Sequence, residues 1–341
     1  MQKNILFLPF EIIIIIYNYL CNVSTQRLFS ISCKSIRNLI QKNKIYTTEI
    51  KIKEIVLSID LLKWAQVNGY KFNVKTSAYI AEHGNLDTLK WIRKNECPWN
   101  AKTCLNAISN GHFDVLQWAI KNGCPWHEYT CAHAALNGNF EILQWAIKNG
   151  CSWDEHTCSN AAMNNHLGIL KWARKNGCPW DEMTCTNAAK NNHFATLKWA
   201  IENGCSWDEY TCAFTAKNGH LNILKCLRLN GCPWDKMTCA YAALNGHLDV
   251  LKWARSQNCP WDDETCECAA YNGHLETLKW AWSQNCPINK RICANAAYNG
   301  HLDVLKWARE NGFPWDLSTC LNALKNNHLE VYKWAKENGC K

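Results

Sequence analysis

Apolar side chains recur along this chain at a fixed interval. Tryptophan stands at Trp64, Trp91, Trp118, Trp145, Trp172 and Trp199, then at Trp253, Trp280, Trp307 and Trp334, every 27 residues, with Cys226 the single interruption. A second series runs from Trp99 to Trp315 and is broken by Ile288. Cysteine keeps the same interval from Cys104 to Cys320, and again from Cys97 to Cys286, after which Phe313 substitutes before Cys340. Self-similarity at a fixed period of about 20–50 residues marks a solenoid or array, in which each unit buries its apolar face against its neighbours.

Within one unit the pattern predicts two short helices. In residues 153–177, Asp154 is an N-cap, and Asp181, Asp208, Asp235, Asp262 and Asp316 take the same place, with Asn100 and Asn289 as equivalents. Trp153 and Cys158 sit at the N′ and N4 positions of a hydrophobic staple. Cys158, Ala161 and Ala162 form a narrow face of small residues at i, i+3 and i+4. Only Gly or Asn follows at the end of this helix (Gly84, Asn165, Gly246 and Asn327, for example), the two residues that best tolerate a left-handed helix end. Leu167, Ile169, Leu170, Trp172 and Ala173 give the apolar stripe of the second helix, which Gly177 closes. Glu96 alone departs from Gly or Asn at this second stop. No unit shows the period-two alternation of a strand, which argues against a leucine-rich repeat. The expected fold is therefore an all-α solenoid, right-handed or superhelical, of about ten helix–turn–helix units over residues 60–341.

Composition narrows the class. The formal charge is +8, and half of the excess lies in residues 1–60, leaving the array without the basic stripe that nucleic acid requires. Ile5 to Leu20 is the longest apolar stretch, but Pro9, Glu11 and Asn18 interrupt it, so it does not read as a membrane span. Twenty-two cysteines without a secretory signal point to a reducing compartment, the cytoplasm, where they remain thiols.

The stretch Gly300-His-Leu-Asp-Val-Leu-Lys-Trp-Ala-Arg-Glu-Asn-Gly312 resembles the second helix of an ankyrin repeat, and Ala296-Ala297-Tyr-Asn-Gly300 resembles that family's helix end. Equivalent stretches cover most of the chain. The ankyrin unit has about 33 residues, and those missing here fall between the second helix and the next first helix. The Thr-Pro-Leu-His start is also absent. The resemblance thus implies ankyrin-like repeats whose projecting β-hairpin is reduced to a loop, similar to the Trp/Cys-rich ankyrin-type proteins of large DNA viruses. It implies binding of a protein target by a monomer, in the host cytoplasm if the chain is viral.

Residues 1–45 depart from the repeat, and residues 46–59 read as a connector or degenerate capping unit. Leu8, Pro9 and Glu11, then Leu20, Cys33 and Arg37, resemble the order of an F-box. That resemblance implies docking on a Skp1-type adaptor of a cullin-type ubiquitin ligase, with the repeats recruiting the substrate. The alternative is an N-terminal cap, which any solenoid needs to cover its first apolar face.

Candidate chemistry is absorbed by structure. Cysteines seven apart, such as Cys97 and Cys104, do not match zinc ligands, which stand about two to four residues apart within a pair. They read as small buried hydrophobes. The repeated histidines at the start of the second helix read as turn residues bonded to backbone. No metal, cofactor or catalytic group is expected. Binding falls to positions that fail to repeat. One set precedes each Thr-Cys and includes Tyr129 and Tyr210. The other follows the Ala-Ala pair and includes Met163, Lys190, Lys217, Tyr271, Tyr298 and Lys325. On an ankyrin-like array both sets would line the concave side.

Overall fold

The computed structural model describes residues 56, 58–67 and 70–340. The described residues form 21 helices and no strand, so the all-α expectation is met. The segment between successive helical hairpins is a loop. Contacts divide the chain into two compact units, Met1–His127 and Glu128–Lys341.

In the first unit the described helices begin with Ile59–Val67, followed by the hairpins Val74–Glu82/Leu86–Lys94 and Ala101–Ser109/Phe113–Lys121. The second unit holds eight hairpins, from Thr130–Leu136/Phe140–Lys148 to Leu317–Lys325/Leu329–Glu337. Within each unit, stacking runs through the first helices: Val74–Glu82 packs on Ala101–Ser109, and Glu209–Lys217 packs on both Glu182–Lys190 and Lys236–Leu244. The small-residue face explains this. Cys158, Ala161 and Ala162 are fully buried, and with no long side chain between them the helix backbones approach closely. The second helices close the other side with Leu170 and Ala173 or their equivalents. Among the described residues no helix is long and apolar enough to cross a membrane.

The caps follow the sequence. Asp181 accepts from Met183 N at 3.1 Å, and Asn100 from Lys102 N at 3.1 Å. Asp208 forms a full capping box with Thr211. The repeat that begins with His127 lacks this residue, and its first helix starts only at Thr130 and has seven residues rather than nine. At the helix ends, Gly84 has φ +71°, Gly246 +70°, Asn165 +62° and Asn327 +62°. Glu96, the departure at the second stop, still adopts φ +59°.

Two packing expectations need correction. The repeated tryptophans of the second helix are half-buried at the surface rather than part of the core. Their partner is the loop tryptophan, which does not serve as a staple for cysteine alone: Trp153 meets Trp172 edge-to-face at 5.6 Å, and Trp180 meets Trp199 at 5.9 Å. An arginine two residues after the helix tryptophan covers the next loop ring, with Arg174 at 4.1 Å from Trp180 and Arg255 at 4.2 Å from Trp261. The same guanidinium donates to the carbonyl of Cys178 or Cys259. Where this arginine is present, at positions 93, 174, 228, 255 and 309, cation, ring and capped carbonyl together fasten the loop to the helix before it.

Candidate interaction surface

The first helix has nine residues in most repeats. Its buried face is fixed by the small residues, which leaves its two ends and one flank to vary. Tyr129 and Tyr210 lie at the N-terminal end of their first helices. Met163, Lys190, Lys217, Tyr271, Tyr298 and Lys325 are each the last residue of theirs. The two sets therefore sit at opposite ends of a helix about 12 Å long.

Several of these side chains are available. Tyr210 is 51% exposed, and Tyr271 and Tyr298 are 39% and 41% exposed and stack on each other at 5.9 Å with ring planes 21° apart. Tyr129 lies edge-to-face with His156 at 6.0 Å. Met163 and Lys190 are half-buried, and their carbonyls accept hydrogen bonds from His193 and His220 at 2.9 and 3.0 Å. Lys325 is exposed on the last first helix.

Sequence reading missed Phe214 and Tyr241. In half of the repeats this flank position is asparagine, whose amide donates to a carbonyl of the preceding repeat: Asn160 to Ala132 at 3.2 Å, Asn187 to Ser159 at 3.1 Å and Asn322 to Ala294 at 3.1 Å. Phe214, Tyr241 and Cys268 replace it in three successive repeats. Tyr210, Phe214 and Tyr241 then form a run of rings, 6.3 and 5.9 Å apart, with Lys217 Nζ 5.3 Å over the Tyr241 ring. The signal was available as a break in the asparagine series.

Beside this run, at the N-terminal ends of the next first helices, lies a charged groove of about 540 Å³ lined by Lys236, Asp262, Asp263, Glu264, Lys290 and Arg291 among others. Its charges answer one another: Lys236 Nζ reaches Asp262 at 2.6 Å, and Lys290 Nζ reaches Asp316 at 2.8 Å. Such exposed pairs contribute little stability, so the groove is open to exchange of partners.

The repeated histidines bond to the preceding repeat rather than to their own turn. His112 Nε2 donates to Glu82 O at 3.0 Å, and His166 Nε2 to Leu136 O at 3.1 Å. Burial lowers the pKa of His220 and His274 below the ordinary 6.5, against the opposing effect of their carbonyl bonds. The unfolded chain therefore takes up protons at a higher pH than the folded one. Stability from these two groups is complete above about pH 6.5 and is lost as pH falls through the lower folded values. A urea midpoint that is flat above neutrality and falls on acidification is expected, and replacing both histidines with asparagine, which Asn85 and Asn139 already supply elsewhere, should reduce the slope.

Among the described residues no three His, Cys, Asp or Glu side chains converge as a metal site. Leu8, Pro9, Glu11, Leu20, Cys33 and Arg37 lie outside the described residues. No family model matches the chain, and no curated relative does. Among solved structures, the ankyrin repeat domain of human ASB11 is similar at a TM-score of 0.38 and 16% identity, over 45% of this chain and 82% of that one.

Proposed function

We propose that this chain is a non-enzymatic, ankyrin-type scaffold that captures a protein partner on the flank formed by Tyr210, Phe214, Lys217 and Tyr241. The observation that carries this reading is the exchange of a structural asparagine for aromatic rings in adjacent repeats, next to a tyrosine that is half exposed. Rigid rings on a helix bind at small entropic cost, and a few such residues supply most of the energy of an interface. Lys217 favours a partner segment that brings carboxylates beside an apolar anchor.

The F-box-like order of Leu8, Pro9, Glu11, Leu20, Cys33 and Arg37 supports a second role for the same molecule, as a substrate receptor that delivers its target to a Skp1-type adaptor and a cullin-type ubiquitin ligase. On this reading the chain works as a monomer in the cytoplasm, and the likeness to viral ankyrin-type proteins makes a host protein the target class.

The test uses the full chain as bait with cross-linking mass spectrometry. Tyr210→Ala with Tyr241→Ala should weaken target capture roughly 30-fold, as loss of about 2 kcal/mol at a hot spot implies. Leu8→Ala with Pro9→Ala should release the adaptor and leave the target bound. Target capture that ignores the tyrosines would sink the proposed surface. If the Leu8/Pro9 variant instead unfolds the first repeats, residues 1–45 are a cap.

A further inference from the structure

The cysteines are the most regular chemical feature that binding does not use. Their two series lie seven residues apart in sequence, but the helical hairpin brings together partners twenty apart. Cys131 Sγ lies 3.2 Å from Cys151 Sγ, and Cys212 Sγ lies 3.4 Å from Cys232 Sγ. In the last repeat Cys320 and Cys340 face each other in the same way, with Cα atoms 6.4 Å apart.

The members of a pair are not equivalent. One lies inside the first helix and the other in the loop after the second helix, directly before an exposed Pro or Ser. Cys131 is fully buried and Cys151 is 6% exposed, while Cys178, Cys232 and Cys259 at the same loop position are as fully buried as their helix partners. The helix thiol donates its proton toward the loop sulfur. That bond lowers the pKa of Cys151 and Cys205 and raises that of their helix partners, with burial adding to the rise. In these two pairs the loop sulfur is thus the member that gives up its proton more readily, and the helix sulfur stands within reach behind it.

We infer that these pairs are dithiol oxidation sites for hydrogen peroxide, each closing its own helical hairpin with a disulfide. The loop thiolate attacks one peroxide oxygen, the O–O bond breaks, and a sulfenic acid forms as water leaves with the thiol's proton. The helix thiol then attacks the sulfenic sulfur, the S–S bond forms, and a second water leaves. Two thiols are oxidised by two electrons, and one peroxide is reduced to two waters. The bond ties the first helix to the loop that follows the second, within one repeat. It stiffens the array while leaving the exposed tyrosines untouched.

Two repeats provide internal controls. Cys97 faces Ser77 at 3.2 Å, and the position twenty residues after Cys293 is Phe313. Neither can close.

The experiment treats the reduced full chain with hydrogen peroxide under native conditions, alkylates the remaining thiols, and maps peptides without reduction. Links between cysteines twenty residues apart are expected, with Cys97 and Cys293 outside any link and a higher Tm that a thiol reductant reverses. Cys151→Ser should remove the Cys131–Cys151 link alone. Links between other partners, thiols that react only after unfolding, or loop cysteines that stop at oxyacids would each overturn the inference.

Discussion

Gly246→Ala is expected to destabilise its repeat by about 3 kcal/mol, far more than the same change at Gly231. Both glycines hold left-handed backbone, at φ +70° and +84°. Alanine there costs roughly 1–2 kcal/mol in either place. The difference lies in what the new methyl meets. At Gly246 an added Cβ would stand 2.6 Å from His274 Nδ1, whereas at Gly231 it meets nothing within 4 Å. The His274 ring is held in place because it bonds to the Leu244 backbone in the preceding repeat. Moving it strains that bond, at about 1 kcal/mol, a bond that His193 and His220 keep where Asn165 and Asn192 already carry a Cβ. Hydrogen exchange over residues 236–256, with urea unfolding of the full chain, should show the larger loss at Gly246. Equal losses at the two sites would show that the histidine does not constrain the turn. Because an array can open one repeat at a time, the local readout is the decisive one.

This pairing of glycine and histidine shows what the sequence alone could reveal. Asp154, Asn165 and Gly177 act on residues within a few positions of themselves, so caps and stops follow directly from local order. His166 acts on a carbonyl thirty residues earlier, and its partner depends on how one hairpin stacks on the next. The cysteines mislead for a similar reason. Cys151 and Cys158 are neighbours along the chain, but the hairpin folds back and sets Cys158 against Cys178. The second-helix tryptophan fits that helix's apolar stripe, which predicts burial, and an indole on that stripe can instead lie across the loop ring. For the candidate surface, exposure at Tyr210, Tyr271 and Tyr298 was legible because these positions vary. Phe214 and Tyr241 stand at a position whose asparagine is a stacking device, and that role emerges only once the carbonyl it serves is located.

Trp282→Arg restores the residue that several repeats hold at this position, yet it is expected to cost about 2 kcal/mol. The repeat departs from its neighbours at three places. Ile288 replaces the loop tryptophan, Phe313 replaces the loop cysteine, and Trp282 replaces the arginine. Trp282 lies 5.6 Å from Trp307 and 6.1 Å from Phe313, and Trp307 lies 5.3 Å from Phe313. It thus supplies the ring that Ile288 lacks, and Phe313 fills the interior beneath it, fully buried. Arginine alone would lose two aromatic contacts, each contributing about 0.5–1.5 kcal/mol, and would find no indole at 288 to cover. Trp282 is itself 39% exposed, which holds the loss near the middle of that range. Adding Ile288→Trp and Phe313→Cys rebuilds the common arrangement and should return stability to within about 1 kcal/mol of the natural chain, a coupling that contacting residues show and distant ones do not. Urea midpoints of the single, double and triple variants measure it, and costs that simply add would refute the coupled node. The triple variant also gives Cys293 a partner at the twenty-residue spacing. Peroxide should then link Cys293 to the new cysteine at 313, a bond the natural repeat cannot make.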